Sequence, residues 1–333
     1  MGKVKKGLAL IIANAEYQSQ PKLPSCCKDG ADMKSKLEQL NFDVLYYADT
    51  TRAITLDAIA EFIKLADCYS VLLMYYAGHG VQIDGENFFV PIDCTYTPIK
   101  SVFIAGSLVN VNAVTNYMNE HEEKTNILIL DACRSGLAFS RNIGSIGLAE
   151  ISAGNGTTIA FATSPNTSAL GSSSPDGNGC YTKRLLEHID HPNIKIEDMF
   201  KLVRKDVVKD TGGQQVPWEN TSLNADFCFN TMTQDEINES IYQGVRNNYC
   251  AEMLIYLSNH FGYTISDIMR IYQRQKSEKP GGIYISDETS FEKFILERVL
   301  DLKFEFINYR WVCKGTPVLM GDFQHDYTSK LSK

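Results

Sequence analysis

Short apolar runs and longer stretches of helical spacing alternate along the first two thirds of this chain. Leu8–Ala13 is continuously apolar, the pattern of a strand covered on both faces. Asp29–Leu40 follows, with Ala31, Met33, Leu37 and Leu40 at helical intervals. Phe42–Tyr47 reads as a second strand. Leu56, Ile59, Ile63 and Ala66 give the next helix an apolar stripe. Ser70–Tyr76 is another buried strand, ending in Ala77-Gly78-His79-Gly80. Val109–His121 predicts a helix. Thr125–Leu130 predicts a fourth strand, ending in Asp131-Ala132-Cys133, and Thr157–Thr163 a fifth. Cys180–Ile189 and Ile196–Val208 have helical spacing. Strands alternating with helices at this pitch predict an α/β layered fold, with a mostly parallel central sheet flanked by helices.

Two stretches break the rhythm. Arg134–Gly156 and Ser164–Gly179 are rich in Gly and Ser and read as loops that follow strand ends. Beyond Phe229 the alternation is lost. Gln234–Asn259 and Ile265–Gln275 predict helices, and Lys279-Pro280-Gly281-Gly282 a turn. Phe304–Leu319 predicts strands with a turn near Lys314-Gly315. The chain therefore divides into residues 1–229 and a smaller C-terminal α+β module, residues 230–333.

The N-terminus sets Lys3, Lys5 and Lys6 before an apolar run, but Gly7–Ala13 is short for a signal sequence. Asn14, Glu16 and Gln18 follow at once. Gly2 invites a myristoylation reading that Lys6, standing where Ser or Thr is required, argues against. No segment has transmembrane length.

Composition narrows the function classes. A net charge of −8 and a pI near 5.3 argue against a nucleic-acid binder and fit an enzyme for cationic substrates. The nine cysteines are scattered and form no C-x-x-C, which argues against a zinc ribbon or disulfide scaffold. Reduced thiols and a cytoplasmic location are the simpler expectation.

His79 and Cys133 both stand at the carboxyl end of a predicted strand, where open α/β sheets collect functional residues. A thiol becomes a nucleophile when a base or an electropositive setting favours thiolate, and His is the usual base. Taken singly, such a Cys is often a small buried hydrophobe and such a His a turn residue. Their joint placement favours chemistry. The flanking glycines let the backbone approach a substrate closely. The N–H groups of Gly80 and Cys133 are then candidate oxyanion donors. Asp131, two residues before Cys133, shares its face of the strand, where a carboxylate can meet a cationic group.

The stretches Tyr75-Tyr76-Ala77-Gly78-His79-Gly80 and Leu130-Asp131-Ala132-Cys133-Arg134-Ser135-Gly136 resemble the two signatures of the paracaspase and metacaspase branch of the caspase clan. Their His and Cys lie 54 residues apart, close to the roughly 50 of caspase-type enzymes. The resemblance spans about residues 7–229. It includes Asn87–Asp93, similar to the strand after the histidine, and Gln214–Trp218, similar to a late substrate-pocket loop. Caspases carry Gln two residues before the cysteine; Asp131 here points to the basic-P1 branch, P1 being the residue before the cleaved bond.

The resemblance implies a cysteine endopeptidase acting on proteins or peptides with a basic P1, and a second S1-pocket acid at Asp29. Asp29 also suits a helix N-cap, and Asp32 is the rival acid. Thr163, Ser164 and onward to Ala169 would pair with substrate backbone. Trp218 would line an apolar pocket or serve the core. A third pocket acid of some paracaspases would fall near Gly171, where none exists, so Arg is expected over Lys. Arg134–Ala149 contains no Asp or Glu, which implies calcium independence, no metal and no cofactor. Arg141 is the candidate for self-cleavage. Monomer and homodimer both stay open. The competing class is a catalytically silent caspase-like scaffold. Residues 230–333 would then bind a regulatory partner or ligand in either case, with no role for nucleic acid or membrane.

Overall fold

The computed structural model describes residues 5–83, 85–95, 106–133, 148, 151, 153–164, 177–233, 236, 304–307 and 310–313. Its centre is a sheet of strand order β2-β1-β3-β6-β7-β8. The strands are β1 (Gly7–Ala13), β2 (Phe42–Ala48), β3 (Val71–Ile83), β6 (Thr125–Cys133), β7 (Thr157–Phe161) and β8 (Trp218–Thr221). The first five run parallel, and β8 closes one edge antiparallel to β7. The α/β class with a mostly parallel sheet is borne out.

Both faces of the sheet are covered, which is why its strands read as unbroken apolar runs. Alternate residues Ile11, Leu73, Tyr75, Ile127 and Ile129 face helices α1 (Cys26–Gln39), α4 (Cys180–His188) and α5 (Ile196–Asp210). The intervening Leu10, Met74, Leu128 and Leu130 face α2 (Arg52–Ala66) and α3 (Asn112–Glu120). Burying each such side chain contributes about 1.5–3 kcal/mol.

Four expectations shift. Helix α1 starts at Cys26, with Ser25 as its N-cap residue, so Asp29 lies inside the first turn and is not the cap. The buried stripe of α2 is Thr55, Ala58, Ile59, Phe62 and Ala66, and Leu56 is 36% exposed. The stripe turns inward at Thr55 because its hydroxyl is satisfied by the Thr51 carbonyl and the Thr50 hydroxyl. Val109–His121 is a two-residue strand, β5 (Val109–Asn110), before α3. Strand β3 does not stop before its Gly-His-Gly. It continues to Ile83, leaving its parallel neighbours and pairing antiparallel with β4 (Glu86–Phe89) from Gly80 onward.

The chain divides into two units, Met1–Thr231 and Met232–Lys333. In the second, β9 (Phe304–Ile307) and β10 (Arg310–Cys313) form an antiparallel pair. The helices expected at 234–259 and 265–275 and the turns at 279–282 and 314–315 lie outside the described residues. So do Gly2, Arg141, Ala169, Gly171 and, apart from Leu148, the acid-free stretch after Cys133.

Candidate active site

Strand β3 and its neighbour β6 bring the two candidate residues together. Their parallel register ends in Ala77↔Asp131, Gly78↔Ala132 and His79↔Cys133. Residues paired in this way share a face, so positions 79, 131 and 133 lie on the side of the sheet covered by α1 and α4.

His79 is fully buried and held on every side. Its backbone N–H donates to the Tyr17 hydroxyl at 2.8 Å, and its carbonyl accepts from the Tyr76 hydroxyl at 2.7 Å. The carbonyl also accepts from the Val90 N–H at 3.1 Å. The Tyr17 ring lies 4.5 Å from the imidazole, tilted by 50°. A Cβ on Gly78 would meet the Tyr17 and Tyr76 hydroxyls at 2.7 and 2.8 Å, so the tyrosine clamp needs glycine there. The imidazole Nε2 lies 2.8 Å from the Pro21 carbonyl oxygen. A carbonyl only accepts, so Nε2 carries a proton, and the neutral ring has its lone pair on Nδ1.

The same bonds orient Gly80. His79 directs both its backbone groups toward the side of Tyr17 and β4. By strand alternation the N–H of Gly80 faces β6, at the last rung of the ladder beside Cys133.

Asp29 and Asp131 converge below this rung. Asp29 is 2% exposed, reached from α1. Its Oδ1 accepts from the Asn178 side-chain amide at 3.0 Å and the Gly179 N–H at 2.9 Å. Asp131 Oδ2 accepts from the Thr182 hydroxyl at 2.6 Å, and Thr182 lies 2.6 Å from the Tyr75 hydroxyl. A Cβ on Gly179 would stand 3.2 Å from Asp29 Oδ2 and 3.8 Å from Asp131 Oδ2, so both acids border one small space.

Burial, and then the charge of Asp131, push the Asp29 carboxyl up to about 7, against the bonds from Asn178, Gly179 and Ser25. Asp131 keeps a solvent-facing edge but is set deep, and that burial pushes it up to about 6 against the Thr182 bond. Asp32, the rival acid, is different. Burial opposes its charge, but bonds from Lys28 and Asn178 outweigh it and hold Asp32 below the usual carboxylate range.

On the opposite face, Thr163 and Trp218 line a crevice with Leu130, Ala132, Leu148, Phe161 and Ala162. Trp218 packs 5.3 Å from the Phe161 ring and opens β8, a strand that the sequence reading did not anticipate. Ser164 donates to the Val216 carbonyl at 2.9 Å, and Gln215 to the Ala162 carbonyl at 2.8 Å, tying the Gln214–Trp218 segment to the end of β7.

Among the described residues, Glu187, His188 and Asp206 could hold a metal ion, their ligand atoms lying within 4.8 Å of one another. Arg184 already pairs with Glu187 at 2.6 Å. Sequence reasoning missed Tyr17, Pro21, Tyr75, Asn178 and Thr182.

A His and a Cys thus stand opposite each other on adjacent parallel strands, beside a pair of buried acids. Residues 6–228 match the family model of the caspase domain, and the chain belongs to that family. It is also similar to the human mucosa-associated lymphoid tissue lymphoma translocation protein 1, at 32% identity over 149 residues. The mouse homolog of that protein matches equally, at 32% over 149 residues. The match covers 45% of this chain but only 18% and 17% of those relatives. The caspase-clan resemblance read from the two motifs is thereby borne out.

Proposed function

We propose that this chain is a cysteine endopeptidase that cleaves after Arg, and less readily after Lys. The observation that carries this reading is the His79↔Cys133 register, with Asp29 and Asp131 converging on one space beside it. The Pro21 carbonyl holds Nε2–H, so Nδ1 is the base that takes the Cys133 thiol proton. The thiolate attacks the P1 carbonyl carbon. The N–H groups of Gly80 and Cys133 stabilise the oxyanion. The imidazolium returns its proton to the leaving amine, and a thioester remains. Water, deprotonated by His79, then releases the new carboxylate and restores the thiol.

Asp29 and Asp131 give the P1 base its countercharge in a buried setting, where charge-assisted bonds to guanidinium are strong. Thr163, Ser164 and onward to Ala169 pair with substrate backbone, and Trp218 borders an apolar subsite. Residues 1–229 act as the peptidase unit, and residues 230–333 bind a regulatory partner or ligand. Arg141 is the self-cleavage point, which intact mass of wild type against Cys133→Ala would decide. The setting is cytoplasmic; Cys26, Cys27, Cys68, Cys94, Cys180 and Cys228 are all free thiols, and no described helix is long and apolar enough to cross a membrane.

The test is hydrolysis of fluorogenic peptides with Arg, Lys, Asp or a neutral residue at P1. Arg-P1 cleavage that disappears in Cys133→Ala is expected, with Asp29→Ala and Asp131→Ala losing the preference for Arg over neutral P1. Faster cleavage after Asp sinks the reading, and no cleavage of any peptide favours a scaffold.

A further inference from the structure

We infer that Gly179, with the Asn178 and Thr182 side chains beside it, sets the preference for Arg over Lys. This inference rests on the protease reading above. One segment at the start of α4 grips both acids of the pocket. Asn178 and the Gly179 N–H hold Asp29 by Oδ1, and Thr182 holds Asp131 by Oδ2. Asn178 also donates to Asp32 at 2.9 Å, which anchors the amide on the pocket's outer wall. Thr182 and Tyr75 are buried, so the Tyr75–Thr182–Asp131 chain of bonds holds the Asp131 carboxylate from its inner side.

Gly179 is the gap in this clamp. The three atoms nearest to a Cβ built on it all belong to the two carboxylates: Asp29 Oδ2 at 3.2 Å, Asp131 Oδ2 at 3.8 Å and Asp29 Cγ at 3.9 Å. Its backbone, at φ −56° and ψ 151°, is open to any L-residue, so glycine is not required there by conformation. What glycine supplies is room between the carboxylates. A guanidinium is broad and planar and can bond to both acids at once. An ammonium is compact and is satisfied by one acid with water. The missing methyl therefore matters more to Arg than to Lys.

The experiment compares kcat/KM for Arg-P1 and Lys-P1 peptides in wild type, Gly179→Ala, Thr182→Val and Thr182→Ser, with melting temperatures for each. In Gly179→Ala the Arg:Lys ratio is expected to fall about tenfold, chiefly through KM for the Arg peptide. Thr182→Val removes the hydroxyl at nearly constant shape and is expected to lower the same ratio, with Thr182→Ser restoring it. If Gly179→Ala does not fold, the Thr182 pair carries the test. An unchanged ratio in a folded Gly179→Ala or Thr182→Val overturns this inference while the protease reading stands. A wild type that cleaves after neither base overturns both.

Discussion

Asp29 is a buried carboxyl whose ionisation should cost the fold, and Asp29→Asn should expose this. Its folded pKa is raised from 3.8 to about 7. The protonated acid therefore suits the fold, and its full contribution is present below pH 3.8. That contribution is lost as pH rises through about 7. A shift of this size corresponds to about 4 kcal/mol at alkaline pH. Asp29 and Asp131 can shed part of it by sharing a proton, so about 2–4 kcal/mol is expected at pH 8. Asparagine has the same shape and is never charged. Its oxygen can still accept from Asn178 and Gly179. Urea unfolding of wild type and Asp29→Asn, both in a Cys133→Ala background, should differ by no more than about 1 kcal/mol at pH 4.5. By pH 8 the variant should lead by about 2–4 kcal/mol. A gap that does not widen with pH would refute the strained, buried carboxylate.

The same titration should appear in catalysis, because only ionised acids attract a cationic P1. The ratio of Arg-P1 to neutral-P1 kcat/KM should climb as pH rises through the window of about 6–7, and Asp29→Asn should flatten it. Tyr17→Phe removes the acceptor for the buried His79 N–H, a loss of about 1–3 kcal/mol. We expect a lower kcat with KM little changed; the reverse split would remove Tyr17 from the positioning of His79. Peptide hydrolysis should survive excess EGTA, and activity restored only by added calcium would contradict calcium independence.

Most of the fold was legible because its strands are buried on both faces, which leaves an apolar signature that needs no context. Strand β8 was not, since Trp218-Glu219-Asn220-Thr221 is short and mostly polar and gains its identity only by pairing with β7. The phase of α2 was misread because Thr55 counts as polar until its hydroxyl finds partners. The Gly78-His79-Gly80 stretch was read as the end of a strand, yet the strand runs on through it and exchanges one neighbour for another. At the site, His79, Cys133 and Asp131 announced themselves through local spacing. Asp29 came only through family resemblance, and its N-cap alternative failed against the true start of α1. The partners that fix the site carry no local signal. Pro21 acts through a backbone carbonyl 58 residues from His79, and Gly179 reaches Asp29 across 150 residues.

The central claim is that His79 and Cys133 form a working centre behind an arginine-binding pocket. An irreversible chloromethyl ketone with Arg at P1 tests it most directly, read by intact mass and peptide mapping of the full chain. We predict one adduct, on Cys133, formed much faster than with the Asp-P1 analogue and absent in Cys133→Ala. Equal labelling by both analogues, or no adduct on Cys133, would contradict it.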